Sequence, residues 1–453
     1  MATVAEYRPQ LNWVEQDASV LLGSVGQVIN EAMQMLGPRA SYVVSAGLAT
    51  QRSSIVCWDR ISGTPLSPVI SWQDRRTHAW VAQFNAHASS IHDLTGLFLS
   101  PHYGASKMHW CLTQLPEVQA AYREGRLCIA PLASFLLFHL LKGAPFFIDP
   151  ANATRTLLWS HRRVDWDEEL LQLFQVPRDC LPTCVSTVYP YGQLAWDRGV
   201  LPLYITTGDQ SAALFGNGEP DMGCVYINLG TGAFLQCPTP GYPGVYPALL
   251  TSVAAQRGEQ MMYVIEATVN GAGSAIAWFE REYAVSNLQA QLPEWLAQAG
   301  VAPGSPPLFL NGISGLGSPF WVPDFPSRFV GDGALWQQAV AVIESIVFLL
   351  QANLEEMQRV GVNLTQLRVS GGLARLDGLC QRLADISGLS VSRAAEPEAT
   401  ARGVAFLLAG SPTAWGDSSA GSEFMPQIDM ALTQRYRSWR VALNQALTAL
   451  KKI

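Results

Sequence analysis

The stretch TTGDQSAALFGN at 206–217 sets one carboxylate, Asp209, between a glycine and a glutamine. It follows the apolar run LPLYI and precedes a helix-like SAALF. A carboxylate on a strand-to-helix turn can accept a proton from an alcohol, and the glycine before it lets the backbone bend sharply. The same placement would also cap a helix beginning at Ser211, and the residues alone leave both readings open. Three glycine sites suit an anion. Gly230-Thr231-Gly232 joins two β-rich runs, and its backbone N–H groups with one hydroxyl fit phosphate oxygens, or make an ordinary hairpin turn. Gly371 and Gly372 precede a helical pattern, as does Gly273 in NGAGS, and each lets a ligand approach the backbone closely. As isolated glycine pairs they are too weak a signal for a dinucleotide fold. Arg52 follows a β-rich run and offers a fork of donors to two oxygens, or a surface ion pair. Trp72 offers an aromatic face to a ligand's C–H groups, or packs in a core.

The elements that must position these residues read as mixed α and β. Asp17 caps a helical pattern with apolar positions at Leu21, Val25, Val28, Ala32 and Leu36, stopped by Gly37-Pro38. YVVSAGL, SSIVCW and PVISW read as short strands, and helical periods dominate from about 105 to 200. CVYINL and AFLQC form a tight pair, YVIEAT leads into the helix SAIAWFEREY, and a long apolar helix covers about 336–357. LRVSGGLARLDGLCQRLADISG reads as strand, glycine turn, helix, and 410–424 as a surface loop by composition. β-rich pairs lead into helices twice, which implies two mixed α/β domains divided near 206–217 with a cleft between them. A length of 453 residues agrees with two or three domains.

Composition narrows the classes. With 49% hydrophobic and only 14% charged residues the chain reads as well-buried and globular. A net charge of −7 argues against nucleic acid or an anionic membrane as partner. The eight cysteines are scattered without a CxxC pair, which suits a reducing compartment better than disulfides or a zinc site. The N-terminus has no apolar signal-like region, and SFLLFHLLKG and AVAVIESIVFLL, broken by His139 and Glu344, suit buried helices better than membrane spans. The expected compartment is the cytoplasm.

Taken in order, a set of motifs resembles the FGGY family of carbohydrate kinases, with the glycerol kinases its nearest well-known branch. They are NWVEQD (12–17), LATQRSSIVCWDRISGTPLSPVISWQDRRT (48–77), SPHYGASKMHW (100–110) and DPANATRTLLW (149–159). TGDQSAALFG (207–216), NLGTGAFL (228–235), SGLGSPFW (314–321), SGGLAR (370–375) and EATARGVAFLLAG (398–410) continue the series. The resemblance implies an α/β, two-domain actin/hexokinase-like (ribonuclease H-like) fold, with 1–210 on the sugar side and 211–453 on the nucleotide side. It implies ATP and Mg²⁺ as cofactors, a small sugar or polyol as partner, and phosphoryl transfer to its hydroxyl. Asp209 then corresponds to the family's general base, with Gln210 beside it in contact with the sugar. Arg52, Trp72 and Phe234 would line the acceptor. Gly230, Thr231, Gly232, Gly273, Gly371 and Gly372 would hold the nucleotide.

The departures are specific. Ser53 stands where glycerol kinases carry a glutamate, and His102, followed by Tyr103, stands at their substrate-contacting tyrosine. Two polar contacts expected for glycerol are therefore changed. Family members also open with a strand carrying an Asp-x-Gly-Thr turn, which helps hold Mg²⁺ and the nucleotide phosphates; this sequence begins at MATVAEYRPQLNWVEQD, after that point. Three accounts follow: a start codon further upstream, which is the expectation; a short form that binds sugar or nucleotide without turnover; or a substitute for the loop. Without that strand the first domain is expected to expose a sheet edge, which with the low charge content also allows a homodimer.

Overall fold

The computed structural model describes residues 3–197, 199–299, 304–394, 398–416 and 421–450. One ten-stranded sheet runs through the molecule. It begins with Ala46–Thr50, Gly199–Gly208 and Val188–Trp196, and continues through Leu250–Arg257, Gln260–Val269, Ala233–Thr239 and Cys224–Leu229. Gln366–Ser370, Val391–Arg393 and Ser422–Phe424 complete it. The first three strands meet the other seven through the single parallel pairing Val188↔Arg257. Two parallel pairs matter for function. Gly208 lies opposite Thr50 at the end of one, and Asn228 opposite Ser370 at the end of the other. Ala46–Thr50 lies at one end of the sheet among the described residues.

A second, four-stranded sheet of Glu15–Gln16, Val69–Ile70, Ile55–Asp59 and Leu127–Pro131 lies in the N-terminal half. Ile55–Asp59 is buried along its whole length, which explains its near-continuous apolar run. The helices Gly104–Gln114 and Leu132–Leu140 contribute Met108, Cys111, Phe135 and Leu136 to the surrounding cores. In the C-terminal half the helix Leu335–Arg359 is long and apolar enough to cross a membrane, yet 78% of its apolar window is buried inside the fold. Its Glu344 is ion-paired with Arg435 of the helix Met430–Leu450. It is a core helix, as its interrupted apolar run suggested.

The two halves share their cores. Leu250, Val253 and Tyr263 pack with Ile55, Met108 and Trp159 of the N-terminal half. Ala254, Ala255 and Val264 pack with Ile205, Phe215 and, from the helix Ala399–Leu408, Val404 and Phe406. That helix returns late in the chain to pack against Ala46–Thr50, with Val404 against Gly47.

Local readings held where one signal dominated. Asp17 Oδ1 accepts from the Ser19 and Val20 N–H groups, and the helix Ala18–Leu36 ends at Gly37. Its buried face differs from the expected one: Ala18, Leu21 and Met33 are inside, while Val28 and Ala32 are exposed. Tyr42 and Val44, read as strand, precede a strand that starts only at Ala46. Val188–Trp196 falls in a region read as helical, and Leu250–Arg257 was not read at all. Pro190 and Gly192 disguise the first, which bulges at that point. Of the loop expected at 410–424, Ser422–Phe424 pairs with Val391–Arg393, while 417–420 lie outside the described residues.

Candidate active site

Because Gly199–Gly208 and Ala46–Thr50 run parallel and end together, the turns after them place Asp209 and Arg52 side by side. Gly208 must lack a side chain, since a Cβ there would run into the Arg52 chain. Arg52 is buried, and its guanidinium donates to Gln210 Oε1 at 2.5 Å and lies 3.5 Å from Ser211 Oγ. Burial and the neighbouring Arg155 pull its pKa down to about 10, against the opposing pull of Glu266 and Asp209. The surface ion-pair reading of Arg52 is thus set aside. The helix begins at Asp209 rather than Ser211, with Gly208 in the cap position. Among the described residues Asp209 Oδ1 accepts only from the adjacent Gln210 N–H at 2.7 Å, so it is not an N-cap, and the residue is half-exposed. From behind, Thr400 Oγ1 donates to Asp209 O at 3.1 Å, and Gly403 lies against the Ala212 carbonyl.

Ser53, Trp72 and His102 form one wall. Ser53 adopts a left-handed conformation (φ 64°), and its hydroxyl donates to Arg155 O at 3.3 Å. Lys107 ties the wall together, donating to Ser53 O at 3.1 Å and His102 O at 2.8 Å. Its burial lowers its pKa to about 7. The His102 Nδ1–H donates to Trp72 O at 3.1 Å, and burial lowers the ring's pKa, so the neutral ring keeps Nε2 as an acceptor. Trp72 is 41% exposed, which removes the core-packing reading for its side chain.

Sequence reasoning missed a charged cluster against this wall. Glu266, on Gln260–Val269, is ion-paired with Arg155 and lies 3.9 Å from Arg52. Gln236 Nε2 and Ser252 Oγ also donate to it, at 2.8 and 2.9 Å. Burial would push its carboxyl up, but Arg155 and Arg52 hold it below its ordinary value. Tyr103, next to His102, lies beside the Arg155 guanidinium. The available signal was one acid inside the apolar run YVIEAT; its partners, spread from 52 to 252, gave none.

The glycine turns gather at the carboxyl ends of the other parallel pair. Gly230 N–H donates to Gly232 O at 2.9 Å, closing the turn between Cys224–Leu229 and Ala233–Thr239. Gly273 N–H donates to Gly230 O at 3.0 Å and Ser274 N–H to Thr231 O at 2.9 Å. Gly273 therefore buttresses the turn with its own N–H, and Thr231 is left at the surface. Gly371 has φ 92°, and a Cβ on it would lie 2.6 Å from Leu229 O; next to Gly372 there is open space. Phe234 and Gln236 share a sheet face with Thr268 and Glu266, their cross-strand partners. From Glu266 to Val269, beside Gly232, the strand advances about 10 Å. One strand thus links an acid–arginine cluster to a glycine-lined surface.

Comparison with known proteins places the chain in a family and matches its fold. Residues 2–216 match the N-terminal domain and residues 225–411 the C-terminal domain of the FGGY family of carbohydrate kinases. A glycerol kinase from Citrifermentans bemidjiense is 32% identical over 98% of this chain and 92% of its own length. The fold matches a Plasmodium falciparum glycerol kinase solved with ADP (TM-score 0.90, 23% identity, 98% of this chain and 92% of that one). It also matches a xylulose kinase from Brucella ovis (TM-score 0.86, 21% identity, 99% and 93%). Matched in both halves and along nearly its whole length, the chain belongs to the FGGY family of carbohydrate kinases.

Proposed function

We propose that this enzyme transfers the γ-phosphoryl group of ATP to a hydroxyl of a small sugar or polyol, with Asp209 as general base. The observation that carries the reading is the placing of a half-exposed Asp209 on the turn beside a buried Arg52 whose guanidinium bonds Gln210. Arg52 and Gln210 orient the acceptor, and Asp209 accepts the hydroxyl proton as the oxygen attacks phosphorus and ADP departs. Trp72, His102 and Ser53 line the acceptor on one side and Phe234 on the other. Gly230–Gly232, Gly371 and Gly372 receive the nucleotide, with Gly273 supporting them. Residues 1–210 then carry the acceptor side and 211–453 the nucleotide side. Among the described residues no three metal-ligating side chains gather. Magnesium would arrive on the triphosphate and take its oxygens mainly from phosphate and water, leaving the Asp209 carboxylate to accept the proton. Bound there, the ion offsets phosphate charge.

Ser53, smaller and uncharged where glycerol kinases carry a glutamate, leaves room and less charge at the wall, which together with His102 favours an acceptor other than glycerol. A coupled assay for ADP release tests this with glycerol, xylulose, a hexose and an aldonate, beside thermal shifts with ADP and each acceptor. ATP-dependent phosphorylation of one acceptor, above glycerol, is the expected result. Thermal shifts without transfer to any of them would indicate a binding protein on the same scaffold.

A further inference from the structure

We propose that Glu266 is a positioning residue for the acceptor site: its carboxylate, set between two buried guanidiniums, fixes Arg52 in the orientation that presents it to the acceptor. The proposal rests on the kinase reading of Arg52. Arg52 and Arg155 both come from the N-terminal half, and both are buried. Among the described residues Glu266 is the one acid within ion-pair distance of either. Without it two like charges would face one another in a site that water does not screen. The carboxylate is itself immobilised. Gln236 and Ser252 donate to its two oxygens from the strands Ala233–Thr239 and Leu250–Arg257, so three C-terminal strands hold one acid against two N-terminal arginines. Arg52 NH2 is shared between Gln210 Oε1 and Glu266 Oε1, which makes the position of Glu266 set the direction of the rest of the fork. The same strand runs on to Val269 and the glycine turns, so the acid also ties the acceptor wall to the phosphate side.

Charge balance separates this role from simple packing. Glu266→Gln in the full chain keeps the shape and leaves two uncompensated cations. The KM for the best acceptor of the panel should rise about tenfold or more, with the KM for ATP within about twofold. Adding Arg155→Met removes one of those cations, and the double variant should recover about threefold or more of that loss. A double variant worse than Glu266→Gln alone, or an unchanged acceptor KM in Glu266→Gln, overturns the proposal. Crystal structures of the variants give a readout independent of turnover. The Arg52–Gln210 contact should open in Glu266→Gln and re-form in the double variant; an intact contact in Glu266→Gln overturns the role. Arg155→Met alone covers a failure of Glu266→Gln to fold: Arg52 should close on Glu266 from 3.9 Å to a direct hydrogen bond, and a wider gap contradicts it. If the wild-type protein phosphorylates no acceptor, the kinase reading fails, while the crystallographic comparison still decides the place of Glu266.

Discussion

Lys107 has no exposed surface, and its ammonium reaches two carbonyl oxygens, those of Ser53 and His102. It therefore holds Ser53 and His102, two of the positions expected to differ from glycerol kinases. Burial lowers its pKa from the usual lysine range to about 7. Above that pH the folded chain sheds a proton that the unfolded chain keeps up to about pH 10, so this group's contribution to stability rises with pH across that window. Lys107→Met removes the titration. Urea denaturation at pH 7, 8 and 9 should show the stability difference, wild type minus variant, growing with pH. A constant difference would mean that the lysine does not titrate there. The turns carrying Asp209, Arg52 and the glycines were legible as positions because single residue types announced them; the roles proposed for them come from the family resemblance. Glu266, Arg155 and Lys107 were not, because their meaning lies in partners from distant parts of the chain.

The element that carries Asp209 is a helix of five residues, too short to hold itself in place. Its position depends on the helix Ala399–Leu408, whose Thr400 bonds the Asp209 carbonyl. Gly403 lets the two helices touch, and a Cβ there would overlap Ala212 O. Gly403→Ala should cost about 1–3 kcal/mol through overpacking, measured by thermal denaturation. The forced shift of the Asp209 turn should lower kcat about tenfold or more while leaving the KM for ATP near wild type. Unchanged kcat would show that the turn is fixed by its own strand instead. Elements were legible where pattern and turn agreed, as in CVYINL–GTG–AFLQC. Val188–Trp196 was missed because Pro190 and Gly192 break its alternation, and the short Asp209 helix misled because Gly-Asp before apolar residues imitates a cap.

At the scale of the molecule the sheet is continuous but narrow at its middle, where Val188↔Arg257 is the one pairing between its first three strands and the rest. Beyond that pairing the halves are joined by the Glu266 cluster, by a backbone bond from Thr251 N–H to Gly96 O at 2.9 Å, and by cores that draw residues from both halves. Two parallel strand pairs, one on each side of that seam, end at the Asp209 and Arg52 turns and at the glycine turns. The two-domain organisation was readable from the repeated strand-then-helix order. The shared cores were not, because Leu250–Arg257 carries no turn or period that marks it as the strand between halves. Asp209→Asn in the full chain tests the central claim most directly, since it keeps the shape of the acid and removes its basicity. Phosphate transfer should fall by about 10²–10⁴ while the acceptor's dissociation constant stays within about twofold; turnover comparable to wild type would contradict the account.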